Sequence, residues 1–144
     1  MDKIDEFRGK YYFLSNFSDS KLTYENVSYL NGEAAFQAMK VINPEQRKTF
    51  SHLPPNRAKA KGRNVKLRHD WEKVKDNIMY EITVAKFTQN LDLKDKLLKT
   101  GNVELIEGNT WNDTYWGVCN GRGKNKLGKI LQRVREEIRS GLHG

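Results

Sequence analysis

The sequence has a single cysteine, no long apolar run and no apolar leader segment. Cys119 cannot form a disulfide within the chain, which is typical of a protein in a reducing compartment. No apolar run approaches the ~20 residues that cross a bilayer, and the opening MDKIDEFRGK lacks both an apolar segment and a small-residue cleavage site. We therefore expect a cytoplasmic protein without a membrane partner.

The sequence also lacks the common metal and nucleotide motifs. His52, His69 and His143 are scattered without ligand spacing, so we predict no metal, no cofactor and no effect of chelators. Residues 123–129, GKNKLGK, fit GxxxxGK, but Ile130 stands where a P-loop needs Ser or Thr to hold magnesium. Neither GxGxxG nor GxSxG occurs. These absences argue against nucleoside-triphosphate hydrolysis and a serine-hydrolase elbow.

Positive charge is in excess. The 144 residues carry a formal net charge of +8, with a pI near 9.6, and the mean hydropathy is -0.82. This charge favours a polyanionic partner or a phosphate-bearing substrate, although a basic surface that only aids solubility is the alternative. Arg63, in the first of two basic clusters, is the preferred phosphate contact. We expect one domain, residues 1–144.

The pattern of apolar residues predicts a mainly helical chain with one hairpin. Leu22 to Tyr29 alternates around a turn at Glu25 and Asn26. Capping residues and apolar spacing predict five helices. The first runs from Asn31 or Gly32 to Ile42, and the second is short, basic and ends at Gly62. A long third helix is capped by Asp70, the fourth stops at Gly101, and the amphipathic fifth runs from about Leu127 to Ile138. Residues 103–107, VELIE, read as a strand.

The first of these helices has an unusual polar stripe. Glu33, Gln37 and Lys40 are separated by four and then three positions, so on a helix they fall within roughly 60° of one another. All the other residues from Ala34 to Ile42 are apolar, which indicates a buried helix. The three side chains either form a partly exposed polar line or line a pocket, where burial would lower the pKa of the lysine and raise that of the carboxyl.

A glycine-rich loop, GNTWNDTYWGVCNGRGKN at residues 108–125, holds a second group of candidates. Trp111 and Trp116 could stack on a base, Asp113 could orient a ribose or a water, and glycine amides could hold phosphate. The alternative is that the tryptophans only fill the core.

Together, these segments resemble the NADAR, or YbiA-like, family, in the family's order and over nearly the whole chain. The matching segments are FLSNFS at 13–18, EAAFQAMK at 33–40, GRNVKLRHDWE at 62–72, KFTQN at 86–90, LLKTG at 97–101, WNDTYWG at 111–117 and GKNKLGKILQRVR at 123–135. The resemblance implies a compact, predominantly helical α+β domain with a small hairpin or sheet. It also implies an N-glycosidase that acts on a ribosylated exocyclic amine, either guanine carrying ADP-ribose or a ribosylamino-pyrimidine phosphate of riboflavin biosynthesis.

The resemblance also suggests roles for individual residues. It implies that Lys40 forms a transient Schiff base with the opened sugar, that Glu33 shuttles protons and that Asp113 assists. Water activated by Glu33 is the alternative to the Schiff base. The implied substrate-binding residues are Phe13, Ser15, Asn16, Phe17, Gln37, Arg63, Trp111, Trp116 and Asn125.

Three functions are therefore compared. The leading one is a glycosidase that removes ADP-ribose from guanine in nucleic acid or nucleotide, because the positive charge favours such a substrate. The others are a non-catalytic ADP-ribose reader, which the presence of both Glu33 and Lys40 argues against, and a nucleic-acid-binding module that uses the basic helices.

Overall fold

The computed structural model describes residues 2–144 and contains helices, short strands and one 3₁₀ helix. In chain order the elements are β1 (Lys3–Ile4), the 3₁₀ helix (Gly9–Leu14), β2 (Asp19–Tyr24), β3 (Val27–Asn31), α1 (Gly32–Ala38), α2 (Pro44–Lys48), α3 (Pro55–Gly62), α4 (Trp71–Gln89), α5 (Leu91–Lys99), β4 (Glu104–Leu105) and α6 (Lys126–Arg139). The α+β fold class is confirmed. Within the described residues, no helix combines the length and apolarity needed to cross a bilayer.

The chain forms two compact units. One, the central unit, is Asn16–Asn90, and the other, the terminal unit, combines the chain before Asn16 with Leu91–Gly144. The terminal unit pairs β1 with β4 in parallel, placing Lys3 opposite Glu104, and packs α6 against β4 and α5.

The predicted hairpin forms the start of the central unit. β2 and β3 are antiparallel, with Tyr24 opposite Val27 and Leu22 opposite Tyr29. Glu25 and Asn26 both have positive φ, 51° and 66°, as a tight two-residue turn of this twist requires. Val27, Tyr29 and Asn31 are buried on alternate positions of β3, so this strand packs one face on the core.

Helix α1 follows the hairpin directly and is buried along its whole length. The Asn31 side chain caps it by accepting a hydrogen bond from the Ala34 amide at 2.8 Å. Phe36 packs against Trp71 of α4 with ring centroids 5.0 Å apart, and α1 also contacts α2, α3 and both hairpin strands. The inverted apolar pattern therefore predicted the position of this helix correctly.

The end of α1 differs from the prediction. The helix ends at Ala38, not at Ile42, and Lys40 lies in a turn in which its amide bonds to the Gln37 carbonyl. The amides of Met39, Lys40 and Val41 bond three residues back, to the carbonyls of Phe36, Gln37 and Ala38, so the chain tightens into 3₁₀-type turns. Arg68 binds the Met39 and Lys40 carbonyls, and Arg47 binds that of Val41. These arginine bonds satisfy the carbonyls of the turn that follows the helix.

Two other sequence predictions need correction. Asp70 does stand at the N-cap of α4, but its carboxylate accepts from Arg68 at 2.6 Å and makes no cap bond to the helix amides. The strand expected over residues 103–107 is only Glu104–Leu105. Beyond it, the Glu107 amide donates to the Asn125 side chain and the Gly108 amide to the Ile106 carbonyl, so neither continues the pairing with β1.

Candidate active site

The candidate active site of the central unit is built on α1. Glu33 and Gln37 lie one turn apart, 9% and 5% exposed, and the Gln37 side-chain nitrogen donates to Glu33 Oε2 at 2.6 Å. Lys40 follows in the turn after the helix and is half-buried. The stripe predicted from the sequence therefore runs through the helix into the following turn.

Gln37 has an unused acceptor. Its side-chain oxygen is buried and has no hydrogen-bond partner among the described residues. A buried amide oxygen without a partner costs free energy comparable to a lost hydrogen bond, on the order of 1–3 kcal/mol. This cost is borne at the position where Gln37 also holds the Glu33 carboxylate.

Helix α3 closes one side of this group. Gly62 lies so close to α1 that a Cβ atom there would overlap the side-chain oxygen of Gln37. The contact requires glycine, whose missing side chain lets the two helices approach. Arg63 follows at the C-cap of α3 and is exposed, as a phosphate contact would need to be.

The electrostatics of the site act on Lys40. Burial lowers the pKa of its amine, Arg63 and Lys59 lower it further, and Glu33 opposes them. Because the cations and burial outweigh the carboxylate, the neutral amine is populated at lower pH than for an exposed lysine. The lysine shift predicted from the sequence is confirmed in direction.

Lys59 was missing from the predicted site, although it stands four residues before Arg63 in the same basic segment of the sequence. It lies one turn before Arg63 on α3, and its ammonium is 5.8 Å from the centroid of the Phe17 ring. The four-residue spacing between Lys59 and Arg63, which puts both on one helix face, could have identified it.

Asn16 and Phe17 also lie in the central unit, just before β2. The Asn16 carbonyl accepts from the Glu33 amide at 3.0 Å, and the Asn16 side chain lies against Gly32 and donates to the Met79 sulfur at 3.1 Å. These contacts hold Asn16 at the start of α1. Glu33, Gln37, Lys40, Arg63, Asn16 and Phe17 all belong to the central unit, while the other predicted residues belong to the terminal unit.

In the terminal unit, the loop between β4 and α6 is held by its own polar side chains. Asp113 accepts from the amides of Tyr115 and Trp116 at 3.1 and 2.9 Å, and Asn109 bonds the backbone of Asp113. Trp111 is 56% exposed and so does not fill the core. Asp113 thus organises the loop, and its assistance in catalysis stays a prediction.

Four further residues predicted to bind substrate lie in the terminal unit: Trp116, Phe13, Ser15 and Asn125. Trp116 is half-buried, edge-on to Tyr115 at 4.9 Å, and Phe13 and Ser15 are half-buried at the end of the 3₁₀ helix. Asn125 is buried, with its side chain bonded to the Leu105 carbonyl and the Glu107 amide. These bonds fix the start of α6, and substrate contact by Asn125 stays a prediction.

No group of three or more metal-ligating side chains occurs within residues 2–144. The central-unit group instead offers a carboxylate, an amine with a depressed pKa and neighbouring cations. This combination can support proton transfer and nucleophilic attack on a carbonyl or an imine, beside a negatively charged ligand.

Known proteins resemble this chain over most of its length. The NADAR domain family matches residues 5–139. The chain is 37% identical to N-glycosidase YbiA of Shigella flexneri over 128 residues, covering 86% of this chain and 79% of that protein. It is 37% identical to an N-glycosidase of Nostoc punctiforme over 133 residues, covering 88% of this chain and 85% of that protein.

Two further relatives add a structure and a biosynthetic name. A riboflavin biosynthesis protein of Vibrio vulnificus is 35% identical over 130 residues, 88% of this chain but 35% of that protein. The NMR structure of the Escherichia coli protein YbiA matches with a TM-score of 0.84 and 31% identity, covering 97% of this chain and 85% of that one. The chain therefore belongs to the NADAR family.

Proposed function

We propose that this protein is an N-glycosidase that hydrolyses the bond between ribosyl C1 and an exocyclic amine, with ADP-ribosylated guanine as its substrate. The observation that carries the proposal is the buried Glu33–Gln37 pair of α1 beside Lys40, whose pKa is lowered by burial. Relatives of similar length are named N-glycosidases, which supports the reaction class.

The reaction begins with opening of the sugar. A ribose linked to an exocyclic amine can break its C1–O4′ bond, O4′ taking a proton from solvent, to give a protonated imine in which the amine nitrogen keeps its hydrogen. The neutral Lys40 amine attacks C1 of this imine and loses a proton to the Glu33 carboxylate. Glu33 then gives that proton to the departing nitrogen, and the base leaves with its amine restored.

Water completes the turnover. The C1 carbon is now held as a protonated imine on Lys40, water adds to C1 with Glu33 as the base, and Glu33 then gives the proton to the Lys40 nitrogen. Lys40 leaves as the free amine, and the sugar aldehyde closes to the hemiacetal. In the alternative, water activated by Glu33 attacks C1 directly, and Lys40 stabilises negative charge instead of forming a bond.

The surrounding residues fit a phosphorylated sugar. Arg63 and Lys59 place positive charge beside Lys40, as a diphosphate would require. The net charge of +8 favours a substrate carried on nucleic acid. A ribosylamino-pyrimidine phosphate is the second candidate, supported by the riboflavin biosynthesis name of the Vibrio vulnificus relative.

Product masses test the proposal. The protein is incubated with an oligonucleotide carrying ADP-ribosylated guanine and, separately, with a ribosylamino-pyrimidine phosphate, each with and without borohydride. Release of ADP-ribose with a borohydride-trapped adduct on Lys40 is the expected result, and release without an adduct favours direct water attack. Release of the sugar from the ribosylamino-pyrimidine phosphate alone would show that this compound, and not ADP-ribosylated guanine, is the substrate. Tight binding of ADP-ribose with no release from either compound would favour a non-catalytic ADP-ribose reader.

A further inference from the structure

The terminal unit contains a cavity of about 510 Å³ whose lining residues take no part in the proposed reaction steps, although one of them, Phe13, was a predicted substrate-binding residue. It lies between the 3₁₀ helix, β1, α5 and the segment that follows α5, and it is lined by residues of this unit alone. Its volume is in the range of small-molecule sites. Its lining combines aromatic rings with ammonium groups, from Lys10, Tyr11, Phe13, Lys96 and Lys99.

Each ring in this cavity is paired with a cation. The Lys10 ammonium is 5.1 Å from the centroid of the Tyr11 ring, and the Lys96 ammonium is 5.9 Å from that of Phe13. Neither Lys10 nor Lys96 has a carboxylate partner among residues 2–144, whereas Lys99 is paired with Asp95 at 2.8 Å. Two of the three lysines therefore have uncompensated charge available for an anion.

A buried arginine adds to this positive potential. Arg135 of α6 is 5% exposed, and its only side-chain hydrogen bond within the described chain is to the hydroxyl of Thr100 at 2.9 Å. Thr100 itself lines the cavity. Through this bond Arg135 holds the Thr100 side chain, and its guanidinium adds positive charge behind that part of the cavity wall.

We propose that this cavity binds a nucleotide unit, with the base against the Tyr11 and Phe13 rings and the phosphate on Lys10 and Lys96. Aromatic faces beside ammonium groups are the combination that binds single-stranded nucleic acid without sequence preference. A nucleic-acid strand and a free nucleotide share this chemistry. The proposal depends only on terminal-unit residues, so it holds whichever substrate the Glu33 and Lys40 site accepts.

The test is fluorescence anisotropy with a fluorescein-labelled ten-nucleotide oligothymidylate, which carries no ADP-ribose and cannot be turned over. We expect Lys10→Ala with Lys96→Ala to weaken binding about tenfold or more and to make the salt slope shallower by about 1.4, since each single-strand phosphate contact contributes about 0.7. The matched control, Lys73→Ala with Lys129→Ala, removes the same charge from exposed positions outside the cavity and should change affinity far less.

Substitutions of Tyr11 separate stacking from charge. Tyr11→Ala should weaken binding about fivefold or more with an unchanged salt slope, and Tyr11→Phe should retain binding, because base stacking needs only the ring. Circular dichroism and thermal unfolding establish that each variant is folded. If the control lysine pair loses as much affinity as the cavity pair, general charge attraction accounts for binding and the proposal is wrong.

Competition identifies the source of the nucleotide. If unlabelled oligothymidylate competes far better than dTMP, the cavity binds a nucleic-acid strand. If dTMP competes as well per nucleotide, the cavity binds a free nucleotide. Both outcomes support the site. Absence of wild-type binding to either probe would overturn it. Because no step involves glycosidic cleavage, failure of this inference is distinguishable from failure of the proposed function.

Discussion

The side chain of Gln37 donates to Glu33 at 2.6 Å while its oxygen has no partner in the described chain. The amide therefore orients the carboxylate and keeps an acceptor free in the same buried space. Because Gln37 is one helical turn from Glu33, and α3 approaches at Gly62, helix packing rather than a mobile loop fixes this geometry.

Glu33→Gln should remove proton transfer without changing the shape of the site. We expect kcat to fall by about 10²–10⁴-fold, the range that general acid–base catalysis contributes, while thermal unfolding stays close to that of the wild type. Rates of guanine-ADP-ribose cleavage measured by product mass check this. Wild-type kcat in the folded variant would exclude Glu33 from the chemistry.

Lys40→Ala should reduce turnover to the background rate and abolish the borohydride-trapped adduct. Lys40→Arg is the informative companion, because it keeps a positive charge but its guanidinium does not become neutral and nucleophilic. Loss of activity in both variants supports covalent catalysis. Substantial activity in Lys40→Arg would instead support direct water attack, with the cation stabilising charge only.

The sequence predicted those elements whose signals are local. The hairpin followed from alternating residues around Glu25 and Asn26, and α4 from its apolar spacing. The end of α1 could not be predicted, because the change to 3₁₀-type bonds at Met39 to Val41 leaves no sign in the apolar pattern, and Arg68, which binds the Met39 and Lys40 carbonyls, is distant in sequence. β1 was also missed, since a two-residue strand is too short to show a period.

For the site, the sequence identified the residue types but not their packing. The Glu33, Gln37 and Lys40 stripe was visible because a helix repeats every 3.6 residues. The contact between Gly62 and Gln37 joins two helices, and no spacing within either one reveals it. The bonds of Asn125 to Leu105 and Glu107 likewise depend on how α6 packs on β4.

The pH dependence of the reaction should respond to Lys59. Lys59 lowers the pKa of Lys40, so Lys59→Gln should raise it. Because a nucleophilic Lys40 must be neutral, activity rises with pH through this pKa, and the rising limb of kcat/KM should move to higher pH in the variant. Lys61→Gln, an exposed position on the same helix, serves as the control and should leave the limb in place. The predicted effect of Lys59 would be contradicted if the rising limb of kcat/KM stayed in place in Lys59→Gln, or if it moved equally in Lys59→Gln and Lys61→Gln.

Gly62→Ala should impair catalysis by displacing Gln37. The new methyl group would occupy the space of the Gln37 side-chain oxygen, and the amide must then move away from Glu33. Loss of this buried hydrogen bond should lower the free energy of unfolding by about 1 kcal/mol, and kcat should fall because the carboxylate is no longer oriented.

The double variant Gln37→Ala with Gly62→Ala separates this displacement from a general packing defect. With the amide removed, the alanine at position 62 meets mainly the Cβ of residue 37, 3.2 Å away, so Gly62→Ala should cost less stability in the Gln37→Ala background than in the wild type. Urea unfolding of the four proteins measures this coupling. Because the Gln37–Glu33 bond is already absent in that background, Gly62→Ala should also cause little additional loss of kcat there. Equal losses of kcat in both backgrounds would show that the glycine acts on the site by a route other than Gln37.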